Sequence, residues 1–283
     1  MKKELLLRKL QAFDPEIFAL LQDEIQRQRY MLSLVPNNNA MSPFAHYLEG
    51  SLLANSAFDA QNPNANSTNL EEIAIKRARK LFGSEHAIVR LGNIGAASRV
   101  VCLALLQPNS RVLSFNLRKA EHCSGLSFTF KNFGIDAKKQ VLDWDEVEQT
   151  ADETKPHLII FSPVSYPRNA NYRRLSEIAR KVGAYLWVDI GQSVGLVAAG
   201  LLPSPVPFAD VVTFPTNDSL HGPDGAIVLS TKEISQKLNE TVINTGHTSL
   251  HINHMAALAA ALLEAGTETF RQYGKQVLAN SKE

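Results

Sequence analysis

Polar and apolar positions follow a helical period at the start of the chain, then give way to short apolar runs separated by amphipathic stretches. Residues 4–29 read as two polar-faced helices. Asp14-Pro15 starts the second, because aspartate suits an N-cap and proline the first helical turn. Pro36 through Pro43 is an asparagine-rich connection, and residues 59–68 form a second polar loop. A helix follows, with Leu70, Ile73, Ala74, Ala78, Leu81 and Phe82 on one face. Thr68 and Glu71 have capping-box spacing at its start, and Gly83 ends it.

Beyond this point, strands are predicted at 87–91, 111–115, 157–161, 184–189, 209–214 and 225–229. Helices are predicted at about 95–106, 121–132, 171–182, 231–240 and 250–265. Strands that alternate with helices imply an α/β fold with a mostly parallel sheet flanked by helices. In such sheets a ligand sits outside the carboxyl ends of the strands. Residues 90–95, 116–125, 162–168, 189–192 and 214–219 are therefore the places to look for chemistry.

At 283 residues, with 45% hydrophobic and 20% charged, the chain can bury a large core. A formal net charge of +1 gives no electrostatic case for nucleic acid or an anionic membrane. No apolar run reaches the roughly 18 residues of a membrane span, and the N-terminus lacks the features of a signal peptide. Cys102 and Cys123 cannot form a disulfide framework, so a reduced, cytoplasmic protein is expected.

Several segments resemble the serine hydroxymethyltransferase family. The run Val188-Asp189-Ile190-Gly191-Gln192-Ser193-Val194-Gly195-Leu196-Val197-Ala198-Ala199-Gly200 follows that family's Val-Asp-Met-Ala-His-(Ile/Val)-Ala-Gly-Leu-Val-Ala-Ala-Gly. Pro203, Pro205-Val206-Pro207 and Ala209-Asp210-Val211-Val212 continue the match, and residues 72–83 are similar to the helix that leads into its first strand. The resemblance implies the large domain of fold-type-I pyridoxal-phosphate enzymes, with a seven-stranded sheet and a tight dimer. It divides the chain into an N-terminal helical arm at 1–43, a large domain at 44–265 and the start of a connecting helix at 266–283. The family continues into a smaller C-terminal domain with a substrate-binding arginine. This sequence ends at Glu283, so that domain is expected to be missing.

The resemblance also assigns roles. Asp189 takes the position of the aspartate that pairs with the cofactor's pyridine nitrogen, or else caps the turn after its strand. His122 falls where an imidazole stacks on the ring, or else is a helix-start histidine. Asn93-Ile94-Gly95 replaces the phosphate-binding Ser-Gly-Ser, leaving Asn93 and Gly95 at a helix start whose amides suit an anion. Gln192 replaces a histidine, Asn37 a serine, Ala57-Phe58-Asp59 a Tyr-Ala-Glu segment, and Thr245 through Ser249 a glycine-rich loop. The decisive change lies in Asn217-Asp218, where the family has His-Lys and the lysine forms the Schiff base with pyridoxal phosphate. A carboxylate has no amine nitrogen and cannot form an imine.

Three sites for relocated chemistry are weighed. Lys119 lies three residues before His122 and is the nearest substitute amine; its plain reading is a solvated residue in a charged run. His247, His251 and His254 have spacing for one helical face and a zinc ligand set, or are polar groups near a helix start. Cys123 beside His122 is no nucleophile pair, because chain neighbours rarely face each other. The resulting expectation is a pseudoenzyme with no covalent cofactor and weakened pyridoxal phosphate binding, acting as a homodimer or as a heteromer with a related fold. The alternative is a divergent transferase that uses non-covalent pyridoxal phosphate, pyridoxamine phosphate or folate.

Overall fold

The computed structural model describes residues 3–35, 39–55, 65–115, 127–136, 138–163, 166–247 and 251–282. The chain divides after residue 38 into two compact units. The first holds α1 (Lys3–Phe13) and α2 (Pro15–Tyr30). Asp14 caps α2 as its sequence requires, its Oδ1 accepting the Ile17 amide at 3.0 Å with Pro15 in the first turn. None of α2 is buried within this unit, and Leu5, Leu6, Phe13, Ile17 and Leu20 are exposed.

The larger unit is built on a seven-stranded sheet. Its strands are β1 (His86–Leu91), β2 (Arg111–Phe115), β3 (Thr129–Phe133), β6 (Leu158–Phe161), β7 (Tyr185–Asp189), β8 (Val211–Pro215) and β9 (Ala226–Ser230). A two-stranded ribbon, β4 (Ile135–Asp136) with β5 (Val141–Leu142), stands apart. The spatial order is β1-β9-β8-β7-β6-β2-β3. The pairs β2–β3, β2–β6, β6–β7 and β7–β8 are parallel. Strand β9 is antiparallel to both β8 and β1, so β1 runs in the same direction as β8. The carboxyl ends of β1, β6, β7 and β8 therefore share one edge.

Both faces of the central strands are buried, and for that reason they read as continuous apolar runs. One face packs under α5 (Ile94–Leu105) and α9 (Lys232–Asn244), with Trp187, Val211 and Val228 against Ala97, Val100, Val101 and Leu238. The other face meets α4 (Ala65–Phe82), α6 (Trp144–Thr154), α7 (Tyr172–Val182), α8 (Val194–Ala198) and α10 (Ile252–Ala265). Helix α11 (Glu268–Asn280) anchors through Phe270, and the short α3 (Pro43–Glu49) follows the Ser42 cap.

Three expectations need correction. The helix predicted at 121–132 is not formed at its end, where Thr129–Phe133 is an edge strand beside β2. Phe130 and Phe133 with Thr129 supply β-prone side chains that pair more favourably there than they would coil; residues 121–126 lie outside the described set. Helix α4 begins at Ala65, which puts Thr68 inside the helix rather than at its cap, and the Glu71 carboxylate forks onto Arg90 at 2.8 and 2.7 Å. Cys102 is disulfide-bonded, so reduced cysteines are not found at that position.

Candidate functional site

Strand β7 ends in Asp189, a buried carboxylate at the carboxyl edge of the sheet. Parallel register sets Asp189 beside Thr213 and Trp187 beside Val211. Because alternate residues share a face, Trp187, Asp189 and Thr213 all project to the α5 side. The Trp187 indole donates to Thr213 Oγ1 at 2.8 Å, and the Thr213 hydroxyl donates to Asp189 Oδ2 at 2.6 Å. The other carboxylate oxygen, Oδ1, accepts the Gly191 amide at 3.0 Å. A Cβ on Gly191 would meet the Pro215 ring at 3.1 Å, so the turn after β7 closes directly onto the end of β8.

The next connection, 216–225, is tied by its own backbone. The Thr216 amide donates to the Gly225 carbonyl at 3.0 Å, and its hydroxyl to the Pro223 carbonyl at 2.6 Å. The Gly222 amide returns to the Thr216 carbonyl at 2.9 Å. Outside contacts brace the loop: the Asn39 side chain donates to the Asp218 carbonyl at 3.0 Å, and Ser42 N donates to the His221 carbonyl at 2.8 Å. The Gly195 amide of α8 donates to Ser219 Oγ at 2.9 Å, and a Cβ on Gly195 would lie 2.4 Å from the Ser219 carbonyl oxygen. Only glycine permits that approach.

Asp218 is half-buried in this loop. Burial, and secondarily the charge of Asp224, hold its carboxyl above the usual carboxylate range. His221 sits in the left-handed region at φ 58°, with its ring edge-on to Tyr273 at 4.9 Å and Phe270 at 5.6 Å. Burial lowers its pKa, against the opposing charge of Glu264. Its Nε2 is buried without a hydrogen-bond partner among the described residues.

At the end of β1, Asn93 caps α5 by accepting the Ala96 amide on its own Oδ1 at 2.8 Å. One of the amides at this helix start is thereby taken by the chain itself. Gly95 lies in the first turn, where a Cβ would approach Asn93 Oδ1 at 3.2 Å. Gln192 is exposed in the turn before α8. His254 Nδ1 of α10 lies 2.9 Å from Glu49 Oε1 of α3.

Comparison with known proteins identifies the frame that carries these groups. Residues 10–283 match the sequence profile described as "SHMT: Serine hydroxymethyltransferase". A protein named serine hydroxymethyltransferase from Coprothermobacter proteolyticus is 37% identical over 284 residues, spanning 95% of this chain and 68% of that protein. One named probable serine hydroxymethyltransferase from Rickettsia bellii is 37% identical over 291 residues, spanning 97% of this chain and 69% of that protein. The chain belongs to the serine hydroxymethyltransferase family.

Among the residues singled out from sequence, Asp189, Gln192, Asn93, Gly95 and Asp218 gather along the carboxyl edge shared by β1, β7 and β8. His122, Lys119, Cys123, Asn37 and Asp59 lie outside the described residues. The three histidines do not share a helical face: α9 ends at Asn244, His251 caps α10, and His247 falls in the turn between. Among the described residues, no group of three metal-ligating side chains is assembled.

The cofactor this serine hydroxymethyltransferase family uses is pyridoxal phosphate, and the residues present fit it only in part. Asp189 is a fixed, buried acceptor of the kind a ring nitrogen requires. Position 218 offers a carboxylate, so covalent attachment there is chemically closed, and the α5 amide that Asn93 covers is unavailable to a phosphate. Sequence reading gave no role to Thr213 or Trp187, and none to Ser219 beyond its place in the stretch 214–219. The signal for the first two was a threonine and an indole spaced on one face of otherwise apolar strands. A shallow groove lined by Ser84, Glu85, Pro207, Ala209 and Thr231 lies elsewhere and contains none of the candidate residues.

Proposed function

We propose that this chain is a serine hydroxymethyltransferase-family protein without hydroxymethyltransferase activity, acting as a dimeric scaffold or as a binding partner. The observation that carries this reading is Asp218, a carboxylate on a loop that Thr216, Gly222 and Gly225 tie through hydrogen bonds. The loop holds an acid at the position that the resemblance matches to a catalytic amine. The self-capped start of α5 supports the same reading. A dimer is supported by the apolar side chains that α1 and α2 leave exposed, and by Phe44 and Tyr47 on α3.

A second reading follows from Asp189, which is held as an acceptor although nothing in the scaffold reading requires it. In that reading the strand-end site binds a small nitrogen heterocycle, such as pyridoxal or pyridoxamine phosphate, without covalent attachment.

The test is to treat the purified chain with pyridoxal 5′-phosphate, reduce with borohydride and map any adduct by peptide mass. Serine–glycine interconversion is assayed alongside. The expected outcome is no turnover and no site-specific adduct, whereas Asp218→Lys gains a visible absorption band and an adduct at position 218. Turnover by the unaltered chain, or a stoichiometric adduct on Lys119, would overturn the pseudoenzyme reading. A monomer at high concentration in size exclusion would remove the dimer.

A further inference from the structure

We propose that Trp187 and Thr213 are positioning residues that hold Asp189 as an ionised acceptor, set to receive a cationic nitrogen such as a protonated pyridine ring. The ligand half of this inference rests on the small-molecule reading above. The relay half stands on geometry alone.

Hydrogen-bond direction is fixed by chemistry. An indole N–H can only donate. Thr213 Oγ1, 2.8 Å from Trp187 Nε1, must therefore be the acceptor in that contact. The single hydroxyl proton of Thr213 is then free for its other partner, Asp189 Oδ2 at 2.6 Å, a distance typical of a hydroxyl donating to a carboxylate. The Gly191 amide donates to the second oxygen. These two donors, one to each oxygen, help to fix the plane of the carboxyl group and favour its charged form. Both members of the relay are fully buried, so solvent does not compete for these bonds.

The register makes the device specific. Trp187 and Asp189 are two residues apart on β7, and Thr213 is the residue that β8 pairs with Asp189. This pairing passes a hydrogen bond from an indole in the core to a carboxylate at the sheet edge. A threonine satisfying a buried tryptophan could instead point its hydroxyl proton at a backbone carbonyl; here it points across the strand pair to Asp189.

The test uses the full chain with Thr213→Val, Thr213→Ser, Trp187→Phe and Asp189→Ala, and the Thr213→Val/Asp189→Ala double variant. Pyridoxamine 5′-phosphate is titrated by fluorescence across neutral pH. Wild type and Thr213→Ser are expected to bind with the same pH profile. Thr213→Val should weaken binding about tenfold and move the alkaline limb of the profile down by about one pH unit, because a less firmly charged Asp189 releases the ring proton earlier. Trp187→Phe should give a smaller change in the same direction. An unchanged profile in Thr213→Val overturns the relay. If wild type binds no pyridine probe, the small-molecule reading fails and the relay is judged by unfolding. Thr213→Val should then lower Tm by roughly 2–4 °C, and by less than half as much when Asp189 is already alanine. Equal losses in both backgrounds overturn it.

Discussion

Two connections leave the same edge of the sheet, one after β7 and one after β8, and they touch at Gly191–Pro215 and Gly195–Ser219. The first carries Asp189, buried at the strand end with donors on both oxygens. The second is equally well ordered by Thr216, Gly222, Asn39 and Ser42, and carries Asp218, which the proposed reading matches to the family's lysine. Backbone framework and reactive side chain are thus separable. The hydrogen bonds that shape the second loop involve main-chain groups and the side chains of Thr216, Ser219 and Asn39, not the Asp218 carboxylate, so residue 218 is expected to change at little cost to the fold.

The comparison breaks most visibly if the β7 side is emptied. Trp187 is fully buried between α5 and the sheet. Trp187→Ala should cost about 3–5 kcal/mol through the cavity alone, read as a lower urea midpoint. A loss under about 1 kcal/mol would mean that this face tolerates a void, and that the indole is not the support of the strand end.

The contact between the two connections is tested by Gly195→Ala. The added methyl would meet backbone, the Ser219 carbonyl oxygen at 2.4 Å, and backbone cannot rotate away as a side chain does. A cost of about 1–3 kcal/mol is expected in thermal or urea unfolding. Gly50→Ala, where a Cβ meets nothing within 4 Å, is the matched control.

His221 gives a pH-dependent handle on the second loop. Burial depresses its pKa, so the folded state favours the neutral ring. The unfolded chain then binds more protons below its ordinary value of about 6.5, and stability falls as pH drops from there through the depressed folded value. The ring is only partly exposed to solvent, and the effect is expected to stay below about 1 kcal/mol. His221→Phe keeps the edge-on contacts with Phe270 and Tyr273 and should flatten that slope between about pH 7 and 5. An unchanged slope would assign the titration to another group.

Sequence patterns made the repeating parts of this fold legible. β2, β6, β7 and β9 are buried on both faces and announce themselves as apolar runs; Asp14-Pro15 marks α2 without ambiguity. The same logic applied to Ser42-Pro43 and to Asp143 would have found α3 and α6, each capped by that residue's side chain. β3 was missed because an edge strand buries little, and Lys131 with Asn132 hides its period. At the site, Asp189 and Asp218 are proposed from their position within a familiar run. Thr213 and Trp187 were not, since their importance lies in a cross-strand register that a single sequence does not display. The three-histidine idea failed for a related reason: spacing along the chain assumed one helix, and two helices with a break intervene.

The smallest effect bears most directly on the comparison. Burial first, and Asp224 second, raise the pKa of Asp218 above its unfolded value, so its ionised form is penalised in the folded protein. The penalty is complete at neutral pH and disappears as pH falls through the raised folded value toward about 4, where both states hold the proton. Asp218→Asn should therefore stabilise the chain slightly at pH 7, by about 0.3 kcal/mol once the partial exposure of the group is allowed for, and should match wild type in acid. The loop's bonds to Asn39 and His221 run through the Asp218 carbonyl, so they survive the substitution. Destabilisation at pH 7 would mean that the Asp218 carboxylate does serve the fold. Residue 218 would then be an acid that the framework came to need, and the separation of framework from chemistry would fail at the position where it matters most.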